Sequence, residues 1–160
     1  TSASLFLRGL DFQKGLFPDK KDIDRALREN GIEEDPSLVF NGGTTITEGG
    51  NAAKHFLEEK TQATAIQTVN DLVAIGAANV FLDHGLIIPD ELSIAGFGNI
   101  LSSEHYRVPL TTIRQPKFRM GMAAFDSMLK LITKKQVEPQ RMIGEVLVRK
   151  STGPAKIKKS

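Results

Sequence analysis

The sequence predicts an α/β fold, a doubly wound parallel sheet, and two observations carry that prediction. Apolar runs of strand length alternate with helix-length segments along most of the 160 residues, in the order β-α-β-α-β-α-β. The stretch 64–99 holds one such unit entire. Apolar runs at 64–69 and 92–97, both with β-branched residues, flank a helical segment 71–84 that stops at Gly85. Two strands joined through a helix pair in parallel.

The elements follow in order. Residues 4–8 (SLFLR) are apolar and end at Gly9, which makes them the first strand. After a polar loop to Pro18, Asp19 can cap a helix over 20–30, whose Ile23, Ala26 and Leu27 share a face and which Gly31 ends. The second strand is 38–40, entered from Asp35-Pro36, with Asn41-Gly42-Gly43-Thr44-Thr45 as the loop at its carboxyl end. A helix over 48–59 turns Ala52, Ala53, Phe56 and Leu57 inward, and the unit 64–99 comes next. Beyond it, 102–108 is a loop or short helix with Tyr106, and 110–113 is a short strand. Then 118–131 is a helix with Phe118, Met122, Phe125, Leu129 and Ile132 at helical spacing, and 145–149 is a last strand. Doubly wound sheets bind ligands outside the carboxyl ends of their strands, which here are 9–12, 41–45, 69–71 and 97–101.

The helix 71–84 is unusual. Leu72, Val73, Ala74, Ile75, Ala77, Ala78, Val80, Phe81 and Leu82 leave it almost no polar face. A helix lying on a sheet needs one apolar stripe, so one that is apolar all round wants a second partner. That partner is expected to be another domain or another copy of the chain.

Composition bounds the function. With 40% apolar and 25% charged residues the chain is ordinary for a globular protein of one domain, or of one plus part of another. No apolar run is long enough to span a bilayer. No signal peptide opens the chain, although a start at Thr1 leaves room for a segment removed earlier. The absence of cysteine excludes disulfides and thiolate metal sites and fits a cytoplasmic protein. A net charge of +2 is too small to argue for nucleic acid, and the basic tail 156–159 reads as a solvated terminus. One tyrosine and no tryptophan leave little with which to stack on bases or sugar rings.

Five ordered motifs carry a family resemblance. They are T-A-I at 64–66, N-D-L-x-A-I-G-A at 70–77 and H-G-L-x-I-P-D-E-L-S-I-x-G-F at 84–97, then V-P-L-T-T-I-R-Q-P at 108–116 and E-V-L-V-R-K-S-T at 145–152. In these the chain resembles the effector-binding region of the LacI/GalR family of bacterial transcription regulators, over the second half of a typical member. The resemblance implies a periplasmic-binding-protein-like domain. Residues 1–113 and 144–153 would be its second lobe, 114–135 a helix of an otherwise absent first lobe, and 154–160 a flexible tail. That helix would then find no partner for its apolar face in the second-lobe core. The resemblance further implies a homodimer built on the helix 71–84 and the loop with Tyr106, so that Val73, Ala77, Val80, Phe81 and Tyr106 are the expected interface. Operator DNA would be bound only through an amino-terminal helix-turn-helix that is not in this chain.

The same resemblance nominates the effector contacts. Asn70 matches the asparagine of the family's N-D motif, and an amide can both donate to and accept from sugar hydroxyls or purine edges. Helix capping by Asn70 or Asp71 accounts for the pair equally well. Where the family places an aspartate after G-F, this chain has Gly98, with Asn99 beside it as a substitute or simply as turn residues. Counting from Gly9, Asp19 stands at the family's pocket arginine, which can grip acids bidentately. A carboxylate there favours a polyol, a base or a cation, while capping next to Pro18 explains Asp19 too. Thr44 stands where members often stack an aromatic, and it cannot stack. Three of the usual four contacts are thus changed, so either the effector, a sugar-like or nucleobase-like molecule, differs from the family's or effector binding has been lost.

Other classes lack their signatures. The threonine-rich loop 42–47 follows the second strand rather than the first, against a flavin site, and no G-x-G-x-x-G precedes a helix. The first strand ends in Arg8-Gly9, not the clustered aspartates of a receiver domain. His55, His84 and His105 are dispersed, and there is no G-x-S-x-G elbow. His55 with Glu58 and Glu59 reads as a solvated face. The expectation is a non-enzyme without metal or cofactor. The alternative is a soluble periplasmic-type sugar-binding protein.

Overall fold

The computed structural model describes residues 4–8, 20–33, 35–41, 43–60 and 63–154. The loop 9–18, Asp19 and the tail 155–160 lie outside the described residues. The elements are β1 (Ser4–Arg8), α1 (Lys20–Glu29), β2 (Val39–Asn41), α2 (Ile46–Glu58), β3 (Ala65–Thr68), α3 (Asp71–Asp83), β4 (Ser93–Ala95), α4 (Leu101–Glu104), β5 (Thr112–Arg114), α5 (Lys117–Ile132) and β6 (Glu145–Leu147). Each expected element is present with its ends shifted by a few residues. Two shifts have local causes. Asp35 caps a 3-10 turn at Pro36–Leu38 through the Ser37 N–H at 2.9 Å, which delays β2. Thr45 and Glu48 form a reciprocal capping box, which starts α2 two residues earlier than its apolar pattern does.

The four-stranded sheet is parallel in the order β2-β1-β3-β4. The connection from β1 runs outward to β2, and the later connections run the other way through β3 to β4. The direction therefore reverses between β1 and β3, and in such sheets ligands bind at the strand carboxyl ends beside that reversal. β5 and β6 form an antiparallel ribbon, Ile113 opposite Val146. This ribbon is stitched along the outer edge of β4. The N–H groups of Ile94, Gly96 and Gly98 donate to the carbonyls of Ser151, Thr111 and Ile113 at 2.8, 2.9 and 2.9 Å.

The helix expected to need a foreign partner finds most of it at home. α3 lies on the sheet and also against α2. Two glycines allow this approach. A Cβ on Gly76 would sit 1.9 Å from the carbonyl oxygen of Ile46, and one on Gly49 would sit 2.3 Å from that of Val73. Close contact between the helix backbones buries the small residues Ala52, Ala53, Ala74 and Ala77. Phe81 is 0% exposed and meets Phe56 edge-to-face at 5.1 Å. The interface expectation is accordingly corrected for Val73, Ala77 and Phe81, which are all 0% exposed inside one chain and have no surface to offer a second copy. The apolar surplus of α3 is consumed by two faces of burial, the sheet and α2. Val80 and Tyr106 are half-buried, and Leu72 is exposed.

α5 has no buried residue. Phe118, Met122, Phe125, Leu129 and Ile132, which share its apolar spacing, are all exposed, Phe118 at 82%. The apolar face thus lacks a partner in the sheet's core, as the sequence leads one to expect.

Candidate effector site at the strand carboxyl ends

The loop after β2 and the start of α3 are tied by one side chain. Asn70 is the N-cap of α3. Its Oδ1 accepts from the Val73 N–H at 2.8 Å, and its Nδ2 donates to the Thr44 carbonyl at 3.0 Å. Capping therefore accounts for the carbonyl half of the amide. The other half brings together two of the expected effector residues, Asn70 and Thr44. Beneath them Glu48 accepts from the N–H groups of Thr44 and Thr45 at 3.0 Å each and from the Thr45 hydroxyl at 2.7 Å. The Thr44 N–H, the Thr45 hydroxyl and the Thr45 N–H, in that order, hold the Glu48 carboxyl below its ordinary value of 4.5.

Asp71, the next residue, is wholly buried. Its carboxyl accepts from the Thr112 hydroxyl at 2.5 Å through Oδ1 and from the Ile100 N–H at 2.8 Å through Oδ2. Its own N–H donates to the Phe97 carbonyl at 3.1 Å. One side chain thus joins the start of α3, the loop after β4 and strand β5. Gly96 is required beside it, because a Cβ there would come within 2.3 Å of Asp71 Oδ1.

Gly98 and Asn99 occupy the end of β4 with φ of +121° and +49°. A Cβ on Gly98 would meet nothing within 4 Å, so the space beside this glycine is open. Asn99 tolerates the left-handed region better than most residues. Its N–H donates to Thr112 Oγ1 at 3.3 Å, and its Oδ1 accepts from Arg149 Nη2 at 2.8 Å. Asn99 therefore has a role beyond a turn residue. Asp19, the remaining nominee, lies outside the described residues.

Arg149 was not singled out by sequence reasoning. Its side chain is only 15% exposed. Nη1 donates to the Leu110 carbonyl at 2.9 Å and to Ser103 Oγ at 3.3 Å, and Nη2 lies 3.5 Å from Glu104. Strand parity was the available signal. Leu147 and Arg149 share one face of β6 and its extension, and that face turns inward, while Val146 and Val148 are exposed. Ser151, also unremarked, is buried and donates to the Ile94 carbonyl at 2.6 Å.

His55 lies 4.0 Å from Glu58 with both side chains mostly exposed, the solvated face expected. Among the described residues no three acidic or histidine side chains are grouped to hold a metal, and no helix is long and apolar enough to cross a membrane.

Tyr106 donates to Asn79 Oδ1 on α3 at 2.8 Å, and Arg107 pairs with Asp83 at 3.1 Å. Burial pushes the Tyr106 phenol up to about 12, with the Arg107 cation opposing and Asp83 adding. The chain has one tyrosine and no tryptophan, so an ultraviolet titration of the phenolate band reads this residue alone. The expected midpoint is about 12 in the folded protein and near the ordinary 10 in denaturant. A raised acid contributes stability fully below pH 10, and that contribution is lost as pH rises through 12. A folded-state midpoint near 10 would mean that the ring is not held against α3.

Comparison with known proteins places this architecture. The family profile described as a periplasmic binding protein-like domain matches residues 20–152. The HTH-type transcriptional repressor PurR of Aliivibrio salmonicida is 34% identical over 129 residues, 79% of this chain and 39% of that protein. Among solved structures, a complex of the transcriptional regulator CelR with cellobiose superimposes with a TM-score of 0.82 at 26% identity, over 92% of this chain and 46% of that one. The Lac repressor dimer bound to operator and the anti-inducer ONPF does so with a TM-score of 0.83 at 25% identity, over 93% and 52%. The chain spans about two fifths of the length of the curated relatives it matches. It belongs to the periplasmic-binding-protein-like domain family. Within that family its match is to the effector-binding domain of LacI/GalR-type regulators.

Proposed function

We propose that this chain is the ligand-sensing and dimerising part of a LacI/GalR-type DNA-binding transcription regulator of the cytoplasm. A sugar or nucleobase-like effector binds at the strand carboxyl ends. One observation carries the reading: Thr44, Asn70, Gly98 and Asn99 all lie in the segment aligned with transcriptional repressors, at the ends of parallel strands beside the reversal of strand order. The sequence also nominates Asp19, which lies outside the described residues. The relatives are named as transcriptional repressors and regulators rather than enzymes, which supports a binding role and does not favour the periplasmic sugar carrier.

In this reading residues 1–113 and 144–153 form the second lobe, 114–135 belongs to the first, and 154–160 is a tail. The apolar face of α5 is covered by the rest of that first lobe. Val80 and Tyr106, with α4, form the dimer face. An effector acts by binding the two lobe arrangements unequally, which changes the spacing of the DNA-binding heads of the whole regulator.

Calorimetric titration with nucleobases and sugars tests the site. Saturable binding is expected from one class. Asn70→Asp keeps the cap but removes the N–H donor and turns a carboxylate oxygen on the Thr44 carbonyl, so it weakens binding about tenfold and lowers the melting temperature modestly. Equal affinity in the variant would remove Asn70 from the site.

A further inference from the structure

Residues 145–153 are held by the middle of the chain and not by the helix that leads to them. Beyond the ladder with β5, the Lys150 N–H donates to the Pro109 carbonyl at 2.9 Å, and Ser151 both donates to the Ile94 carbonyl and accepts from the Ile94 N–H. Arg149 reaches Asn99 and the Leu110 carbonyl. Between β5 and this segment lies an arm, made of α5 and residues 133–144. No residue of α5 is buried, and among the described residues no hydrogen bond holds 136–143. The arm carries a seam. Phe118, Met122, Phe125, Leu129 and Ile132 are alternately four and three positions apart, the strict spacing by which one helix packs along another, and all five are exposed.

We propose that two copies of the 160-residue chain can exchange this segment. Each docks its 145–153 beside the other's β4 and β5, and the two α5 helices lie antiparallel along their seams. The bonds of 145–153 are the same whichever copy supplies them, so exchange loses none of them. It gains burial of the α5 seam, which the closed chain leaves in water. The path of the chain allows it. β6 pairs with β5, whose Arg114 is close to the start of α5, so in the closed chain residues 133–144 return along a helix of 16 residues, about 24 Å. In an antiparallel pair the end of one helix lies beside the start of the other, and the same residues need only cross to a neighbouring helix, about 10 Å away. Asn99 at the end of β4 is then held by the partner's Arg149. In the reading above the rest of a first lobe covers this seam. In the 160-residue chain by itself, a second copy is the partner that carries a matching one. The inference rests on neither the effector site nor the α3 face.

The chain has no cysteine, so a disulfide built into the β5–β6 ladder reads which copy supplies β6. Arg114 and Glu145 are opposite in the register and exposed, and Arg114→Cys with Glu145→Cys places the pair. Residues 145–153 must leave β4 before they can exchange. The variant is therefore unfolded in urea, refolded once dilute and once concentrated, then oxidised and run on a denaturing gel without reductant. Dilute refolding is expected to give single chains closed on themselves, and concentrated refolding mostly covalent dimers. Adding Phe125→Asp puts a charge in the exposed seam, which should cut the covalent dimer at least about tenfold and leave the melting temperature of the closed chain unchanged. Single chains at both concentrations overturn the inference. So does a dimer in solution whose disulfides stay within one chain, which means that the copies pack without exchange. An undiminished covalent dimer with Phe125→Asp overturns it too, since the seam is then not the cause. Each of these results leaves the effector site and the α3 face standing. Where the first cysteine pair impairs folding, Ile113→Cys with Val146→Cys, the neighbouring pair in the register, gives the same readout.

Discussion

Asp71→Ala is expected to cost about 3–5 kcal/mol of stability, seen as an earlier urea midpoint with an unchanged slope. The loss does not come from the missing carboxyl as such. It comes from two donors left behind in a buried place, the Thr112 hydroxyl and the Ile100 N–H, each without an acceptor. Two companion variants separate the terms. Asp71→Asn should lose less, because its amide oxygen can still accept from the Ile100 N–H. Thr112→Val in the Asp71→Ala background should recover part of the loss, because it removes one of the stranded donors. A cost below about 1 kcal/mol for Asp71→Ala would show that water reaches this carboxyl. The same variant should loosen the loop 97–101, since the Ile100 N–H is one of its anchors.

The second large effect contrasts two neighbours on α3. Phe81→Ala should cost about 3–5 kcal/mol, because the ring is fully buried between the sheet and Phe56, and the chain leaves a cavity in its place. The mass in solution should stay that of the parent protein. Val80→Asp, one residue earlier, should instead convert a dimer of the 17.5 kDa chain to a monomer in sedimentation equilibrium. Some stability is lost as well, since Val80 packs partly against the core. An unchanged mass for Val80→Asp would remove this side of α3 from the proposed interface.

The difference between these neighbours marks where the sequence was readable. The alternation of strands and helices, the stop at Gly85 and the apolar character of α3 all follow from local chemistry, and the elements lie where the pattern puts them. What covers α3 was not readable in that way. Its second partner is α2, and the residues that admit α2, Gly49 and Gly76, have no side chain to register as hydrophobic. Excess apolarity therefore pointed outward to a second copy when most of it was spent inward. The site divides in the same manner. Asn70, Asp71 and the turn at Gly98-Asn99 could be found because they sit where a strand ends. Arg149 could not be found that way, since it is joined to Asn99 across 50 positions of sequence and follows two valines that look more suited to the interior. Only strand parity, applied against hydrophobicity, would have turned it inward.

The stitching along β4 has a consequence for assembly. Unpaired strand edges are where β-proteins add foreign strands, and natural sheets close or blunt them. Here the N–H groups of Ile94, Gly96 and Gly98 are already taken by carbonyls of the chain's own later segments. No strand from another molecule can join the sheet on that side without first displacing Ser151, Thr111 and Ile113. A β-sheet running continuously from one copy to the next through β4 is therefore ruled out, and the free edge on this flank is that of β6.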